Sequence, residues 1–169
     1  MRKLLFFFFL FFSAVSAIAQ NSPTAKNNSN NAVNDKSRQE VAAFMKRFHD
    51  GFRAGNVEAL IKMEAPGSTY MGTDAKEIWT KEQFNNELLE AFKGKGVEYS
   101  IDREEVYLLD NQTAVVVDQF IFPAISTSIL VRLHSVLSKK GNDWMVALSS
   151  VTLIPRNEDL SKLNAALKQ

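Results

Sequence analysis

The sequence predicts an α+β fold: N-terminal helices packed in the concave face of a curved antiparallel sheet, forming a cone or half-barrel, with one more helix at the C-terminus. Apolar residues recur at helical spacing in the first half of the chain, and from Val97 onward their period changes to two, as in strands. Short turns between adjacent long strands favour an antiparallel meander. The mouth of such a cone is a natural place for a small molecule to bind.

Composition narrows the function. The chain has 169 residues, of which 46 % are hydrophobic, and a formal net charge of +1. One globular domain fits this length, and the lack of a basic cluster argues against nucleic-acid binding. With no cysteine, disulfides and thiol catalysis are excluded, and the two histidines, His49 and His134, are too few for a metal cluster. There is no Gly-rich phosphate loop, so we expect neither a metal nor another cofactor.

Residues 1–19 have the layout of a secretory signal peptide. Arg2 and Lys3 precede an unbroken apolar run from Leu4 to Phe12, and Ala17-Ile18-Ala19 is a small-x-small cleavage site. The run is shorter than the roughly 20 apolar residues that cross a bilayer. We therefore expect cleavage after Ala19, a periplasmic or extracellular protein, and no membrane attachment afterwards. Residues 20–36 are rich in Asn and predict a disordered linker before a single domain at 37–169.

Three helices are predicted in the first half of the domain. The first covers Ser37–Ala54, and the second covers Val57–Met63 with Asn56 as its cap. A short strand at Ser68–Thr73 and a polar turn follow. Thr80 and Gln83 then form a capping box for the third helix, at Lys81–Phe92. The apolar stripe of the first helix consists of Val41, Phe44, Met45, Phe48 and Phe52.

The second half predicts four strands and a helical tail. The strands cover Val97–Leu109, Thr113–Phe122, Ser126–Lys139 and Trp144–Ile154. Asn157 would cap the C-terminal helix, which carries Leu160, Leu163 and Leu167 on one face. This tail, from about residue 157, would pack on the body or on a second subunit.

Residues from about Arg38 to Pro155 resemble the nuclear transport factor 2-like superfamily and, within it, the SnoaL-like proteins. The run Tyr70-Met71-Gly72-Thr73-Asp74-Ala75-Lys76-Glu77-Ile78-Trp79 is similar to a "GTD…E.W" signature of one SnoaL-like branch. Arg132-Leu133-His134-Ser135-Val136-Leu137, followed by Trp144-Met145-Val146, resembles a strand pair of the family. The resemblance implies a cone-shaped fold, a pocket inside the cone, and often a homodimer through the sheet.

The resemblance does not imply one activity, because the superfamily includes isomerases, cyclases, dehydratases, carriers and binding domains. Related chains often carry His-x-Ser on the last strand. Here that region reads Leu148-Ser149-Ser150, so an apolar residue replaces the histidine.

Asp118 is the first candidate site residue, because it interrupts the apolar run of its strand. If buried, its raised pKa would suit a general base or a neutral donor; otherwise it faces solvent. Arg132 and His134 are two residues apart, so they share one face of their strand, which lines the pocket or faces water. His134 is a candidate acid or base, while Arg132 would hold a carboxylate ligand or form an ion pair with Asp74, Glu77 or Asp118.

Tyr70 and Trp79 would stack on a ligand or close the core. Asp74 and Glu77 are too few for a calcium site, and we expect them to hold the turn, Asp74 through backbone N–H groups and Glu77 through a basic partner such as Arg132. Three functions remain open. They are binding of a small apolar or weakly acidic molecule without catalysis, a proton-transfer enzyme (isomerase or hydro-lyase) using Asp118 or His134 with Tyr70 as donor, and a ligand-free dimeric interaction module.

Overall fold

The computed structural model describes the backbone of residues 24–168 and the side chains of residues 34–168. N-terminal helices pack against one face of a six-stranded curved sheet, and a short helix follows at the C-terminus. The predicted α+β fold is therefore confirmed. Within the described residues, no helix combines the length and apolar content needed to span a bilayer.

Helix α1 spans Thr24–Ala54 and α2 spans Val57–Lys62. Gly55, at φ 61°, ends α1, and the Asn56 side chain then accepts a 3.1 Å hydrogen bond from the Ala59 amide, which caps α2 as predicted. Four stripe residues of α1 are buried against the sheet, and the fifth, Phe52, is half-buried. The buried four are Val41, Phe44, Met45 and Phe48.

Helix α1 begins at Thr24 rather than at Ser37, so residues 24–36 of the predicted disordered linker are helical. Once the apolar stripe nucleates the helix, each added residue gains one backbone hydrogen bond, which extends it through a polar stretch. Residues 20–23 of that linker and the predicted signal peptide at 1–19 lie outside the described residues.

The third helical stretch confirms the predicted capping box but not a regular α-helix. The Thr80 hydroxyl accepts from the Gln83 amide at 3.3 Å, and the Gln83 side chain accepts from the Thr80 amide at 3.0 Å. One α-helical turn, α3, is followed by a π-helix and then by a last turn, α4. Their bounds are Lys81–Gln83, Phe84–Leu89 and Glu90–Phe92.

The six strands lie in the order β2-β1-β6-β5-β4-β3. Their bounds are Glu64–Met71 (β1), Ile78–Thr80 (β2), Arg103–Leu108 (β3), Thr113–Phe120 (β4), Leu130–Lys140 (β5) and Asp143–Ile154 (β6). Strands β3 to β6 form the predicted antiparallel meander, while β1 runs parallel to β6 and pairs with the short β2.

The bounds of several strands differ from the prediction: β1 begins at Glu64, β5 begins only at Leu130, and β2 was not predicted. The first long strand begins only at Arg103, because Tyr99 turns inward and its carbonyl accepts a 2.8 Å hydrogen bond from Arg53 Nε of α1. At the C-terminus a 3₁₀ turn, Asn157–Asp159, precedes helix α5, Leu160–Ala166. No side-chain cap from Asn157 forms, and of the predicted apolar face Leu160 and Leu167 are exposed while Leu163 is half-buried.

Candidate functional site

A cavity of about 310 Å³ lies between the helices and the concave face of the sheet. Most of the residues that line it are aromatic or aliphatic, and none of them is Lys or Arg. The aromatic residues are Phe48, His49, Phe52, Tyr70, Trp79, Phe84, Phe92, Tyr99, Phe120 and Phe122. This size is at the lower end of small-molecule sites.

Strand alternation decides which side chains of the sheet face the helices. In β4 the buried positions include Val116, Asp118 and Phe120, so Asp118 lies on the concave side and is fully buried. Of the two positions that the sequence allowed for Asp118, buried or facing solvent, the structure therefore shows the buried one. Its carboxylate lies behind the cavity wall, since Asp118 itself does not line the cavity.

His49 of α1 joins Asp118 to the cavity. Its Nε2 atom lies 3.1 Å from Asp118 Oδ2, and its Nδ1 atom lies 2.9 Å from the hydroxyl oxygen of Tyr99. His49 and Tyr99 both line the cavity. The polar chain Tyr99–His49–Asp118 therefore begins at the cavity wall and ends at a buried carboxylate.

The surroundings of this chain are apolar. The Tyr99 ring stacks on Phe120 with centroids 4.9 Å apart, and burial raises the pKa of its phenol. The other oxygen of Asp118, Oδ1, has no hydrogen-bond partner among the described residues. Opposite Asp118 in the sheet is Glu104, which is exposed at the surface and whose pKa is raised first by partial desolvation and then by the charge of Asp118.

The turn after β1 closes one side of the cavity. Asp74 Oδ1 accepts from the Lys76 amide at 2.8 Å, as expected for a carboxylate that holds a turn. Glu77 does not pair with Arg132: its Oε2 accepts from the Asp74 amide at 2.9 Å. A Cβ at Gly72 would lie 2.1 Å from that same oxygen, so the folded Glu77 side chain requires glycine there. Gly72 and Glu77 line the cavity, whereas the exposed Asp74 does not.

Tyr70 and Trp79 both line the cavity. The Tyr70 ring is buried and stacks on Phe84, with centroids 3.7 Å apart, so it contributes to the core and to the wall together. Its hydroxyl lies near Glu64, whose Oε2 accepts from Asn85 of the π-helix at 3.0 Å. Burial raises the pKa of Tyr70 and of Glu64.

Arg132 and His134 lie on the opposite, convex face of the sheet and do not line the cavity. The buried positions of β5 around them are Val131, Leu133 and Ser135, which occupy the concave side. Arg132 lies beside Gln119 rather than beside an acidic residue: with the amide turned so that its oxygen faces the guanidinium, that oxygen accepts from Nε and Nη2 at 3.1 and 3.0 Å. The candidate residues Asp118 and His134 are therefore not brought together.

Neither His49 nor Tyr99 is among the candidate site residues that the sequence indicates. A signal for His49 was present, because it lies four residues after Met45 and three before Phe52, inside the apolar stripe of α1. Tyr99 carried no comparable signal, since it lies in the segment predicted as strand. Among the described residues, no group of three or more His, Cys, Asp or Glu side chains comes together to hold a metal ion.

Solved structures share this fold at low sequence identity. A cystatin-like fold protein from Burkholderia xenovorans is 18 % identical, with a TM-score of 0.60 over 72 % of this chain and 94 % of that chain. A nuclear transport factor 2-like protein of unknown function from Pseudomonas putida is 13 % identical, with a TM-score of 0.60 over 73 % and 91 %. A proposed scytalone dehydratase from Novosphingobium aromaticivorans is 9 % identical, with a TM-score of 0.59 over 74 % and 89 %.

These identities establish a common fold and no more. No curated protein shows significant similarity to the sequence. The sequence profile described as "SnoaL-like domain" matches residues 41–151, which include α1 from the start of its buried stripe, the cavity turn and the meander. The chain therefore belongs to the SnoaL-like domain family.

Proposed function

We propose that the protein binds a small, largely apolar molecule in the aromatic cavity of the cone and does not transform it. The observation that carries this proposal is the lining: ten aromatic rings, the polar chain Tyr99–His49–Asp118 at the wall, and few other polar side chains. Those others are Thr73, Glu77 and Ser149. Such a wall favours flat apolar molecules, and a single polar group can fix their orientation. A ligand-free module would fill the cone with its own side chains, so a cavity of about 310 Å³ favours binding over that alternative.

A neutral fluorescent ketone, 6-propionyl-2-(dimethylamino)naphthalene, tests the proposal. Its emission shifts to the blue in an apolar site, so a titration reports binding. Val151→Phe narrows the cavity, and Thr152→Phe, on the next residue and exposed, is the matched control. We expect wild type and Thr152→Phe to bind and Val151→Phe to bind at least about tenfold more weakly. Absence of binding to wild type, or equal affinity for all three proteins, would contradict the proposal.

A second candidate is a proton-transfer enzyme, an isomerase or hydro-lyase. The observation in its favour is the His49 ring, which lines the cavity and is held by a buried carboxylate. A histidine oriented in this way is a frequent general acid or base. Asp118 would act through His49 here, and His134 lies on the other face of the sheet.

Deuterium exchange distinguishes the two candidates. Enolisable cyclic ketones in D₂O lose their α-proton NMR signals when a base abstracts those protons. Exchange catalysed by wild type and lost in His49→Gln would support the enzyme. Exchange at the buffer rate with ketones that bind would support binding without turnover.

We also propose that the protein is exported and forms a homodimer. The layout of residues 1–19 supports export. Half-buried apolar side chains on the convex face of the sheet, Val115, Val117 and Val136, support pairing through that face. Cell fractionation and light scattering of the purified protein test these two points. A protein retained in the cytoplasm, or one with monomeric mass, would contradict the respective proposal.

A further inference from the structure

We infer that the ligand of the aromatic cavity carries a neutral hydrogen-bond acceptor, such as a carbonyl oxygen, to which the Tyr99 hydroxyl donates. This inference rests on the proposed function and deepens it, because it names the class of ligand. It follows from the direction in which hydrogen bonds run along the chain Tyr99–His49–Asp118.

The hydrogen-bond distances allow the polar chain Tyr99–His49–Asp118 only a few arrangements of its hydrogens. His49 has one nitrogen 3.1 Å from Asp118 Oδ2 and the other 2.9 Å from the Tyr99 hydroxyl oxygen. If only Nε2 carries a hydrogen, Tyr99 must donate to Nδ1, and the buried pair has a net charge of −1. If both nitrogens carry hydrogens, or if Asp118 is neutral and Nδ1 carries the hydrogen, the pair has no net charge. In both of these neutral arrangements Nδ1–H donates to Tyr99. A neutral Asp118 with its proton on Oδ1 would also cancel the charge, but it would leave a buried O–H without an acceptor, since Oδ1 has no partner among the described residues.

Burial favours the neutral arrangements. His49 is 2 % exposed and Asp118 is 0 % exposed. A net charge without a counter-charge is costly at such a site. Asp118 Oδ1 has no partner among the described residues that would offset the charge. With Nδ1–H donating to the Tyr99 oxygen, the phenolic hydrogen of Tyr99 is directed away from His49.

The charged groups nearby do not favour a net negative charge on the His49–Asp118 pair. Arg53 lies over the Tyr99 ring, 4.7 Å from its centroid, but its guanidinium is already paired with Asp50 at 3.2 Å. Glu104, opposite Asp118 on β3, adds a carboxyl group to the same region rather than a cation. A net negative pair would therefore face a second acidic group.

The cavity wall sets the charge of the ligand. No Lys or Arg lines the cavity, and its one carboxylate, Glu77, is bound to the Asp74 amide. A ligand carboxylate would enter this apolar space without a cationic partner, which costs free energy. A ketone, aldehyde or ester oxygen accepts from Tyr99 without bringing a charge. A neutral ligand therefore fits this cavity better than the weakly acidic ligand that the sequence also allowed.

Three flat molecules of nearly equal shape provide the test. Fluorenone has only an acceptor, carbazole has only an N–H donor, and fluorene has neither. We expect wild type to bind fluorenone about threefold to tenfold more tightly than fluorene, since one hydrogen bond contributes about 0.5–1.5 kcal/mol. Carbazole should bind no more tightly than fluorene. Tyr99→Phe keeps the ring on Phe120 and should bind fluorenone and fluorene equally.

Infrared spectroscopy of bound fluorenone supplies a measurement that needs no variant. The carbonyl stretch should lie at lower frequency in the wild-type complex than in an apolar solvent. Tighter binding of carbazole than of fluorenone, equal binding of all three molecules, or an unshifted stretch would overturn the inference while leaving the proposed function intact. Binding of none of the three would overturn the proposed function and the inference with it.

Discussion

His49 Nε2 lies 3.1 Å from Asp118 Oδ2, and this contact joins helix α1 to strand β4 inside the core. The pair stands among apolar neighbours, so neither side chain can exchange its partner for water. The pair therefore stabilises the folded domain and also holds a polar side chain at the cavity wall.

A variant without the histidine tests whether the His49–Asp118 pair stabilises the fold. His49→Leu leaves Asp118 buried without its partner and should lower the free energy of unfolding by about 3–5 kcal/mol. The same change in an Asp118→Asn background should cost less, because the amide carries no charge. Urea denaturation measures both. His134→Leu, on the convex face, is the matched control and should change stability by no more than about 0.5 kcal/mol. Equal losses for the two histidine variants would contradict the prediction.

The turn between β1 and β2 makes a second prediction. Gly72→Ala would place a Cβ 2.1 Å from Glu77 Oε2 and should lower the free energy of unfolding by about 1–3 kcal/mol. Glu77→Ala should lower the melting temperature because it removes the acceptor of the Asp74 amide. In the double variant the alanine at 72 should cost less than it does in wild type, because Glu77 Oε2 and Cδ are gone, but part of the loss should remain, because the Cβ of residue 77 would still lie 2.9 Å from the new Cβ. Glu98→Ala, an exposed change elsewhere, is the control. Strictly additive losses would show that the two residues do not interact.

Glu64 makes the stability depend on pH. Burial raises its pKa above the ordinary 4.5, so the folded chain holds this proton more tightly than the unfolded chain. Its contribution is complete below about pH 4.5 and is lost as the pH rises through the raised pKa. The difference in unfolding free energy between wild type and Glu64→Gln should therefore fall as the pH rises above about 4.5. Glu58→Gln, at an exposed position, should give a flat difference. A Glu64 difference that rises with pH would refute the prediction.

Periodicity predicted the fold well because burial repeats along each element. The stripe from Val41 to Phe48 places one face of α1 against the core, and the alternation in β4 and β5 does the same for those strands. The capping groups at Asn56 and Thr80 act within a few residues of the helix starts. These signals are local, so the sequence contains them in full. The π-helix is different, because its extra residue per turn is stabilised by contacts such as Asn85 with Glu64, 21 residues apart.

The site was harder to predict than the fold. Whether Arg132 and His134 or their neighbours face the helices depends on which side of the sheet the helices cover, and strand alternation leaves that choice open. The partners of the polar chain are 50 and 69 residues apart along the sequence. Tyr99 reaches His49 only because residues 97–102 leave the sheet, a change that tertiary packing imposes on a strand-like sequence.

Native mass spectrometry would show whether the cavity holds a ligand. Wild type and Val151→Phe, both purified from the organism that makes the protein, would be compared before and after gentle denaturation. We predict that the wild-type protein carries a discrete extra mass, released on denaturation as a neutral molecule, and that Val151→Phe carries little or none. A wild-type protein without extra mass, or an equal mass on both proteins, would contradict binding in the aromatic cavity.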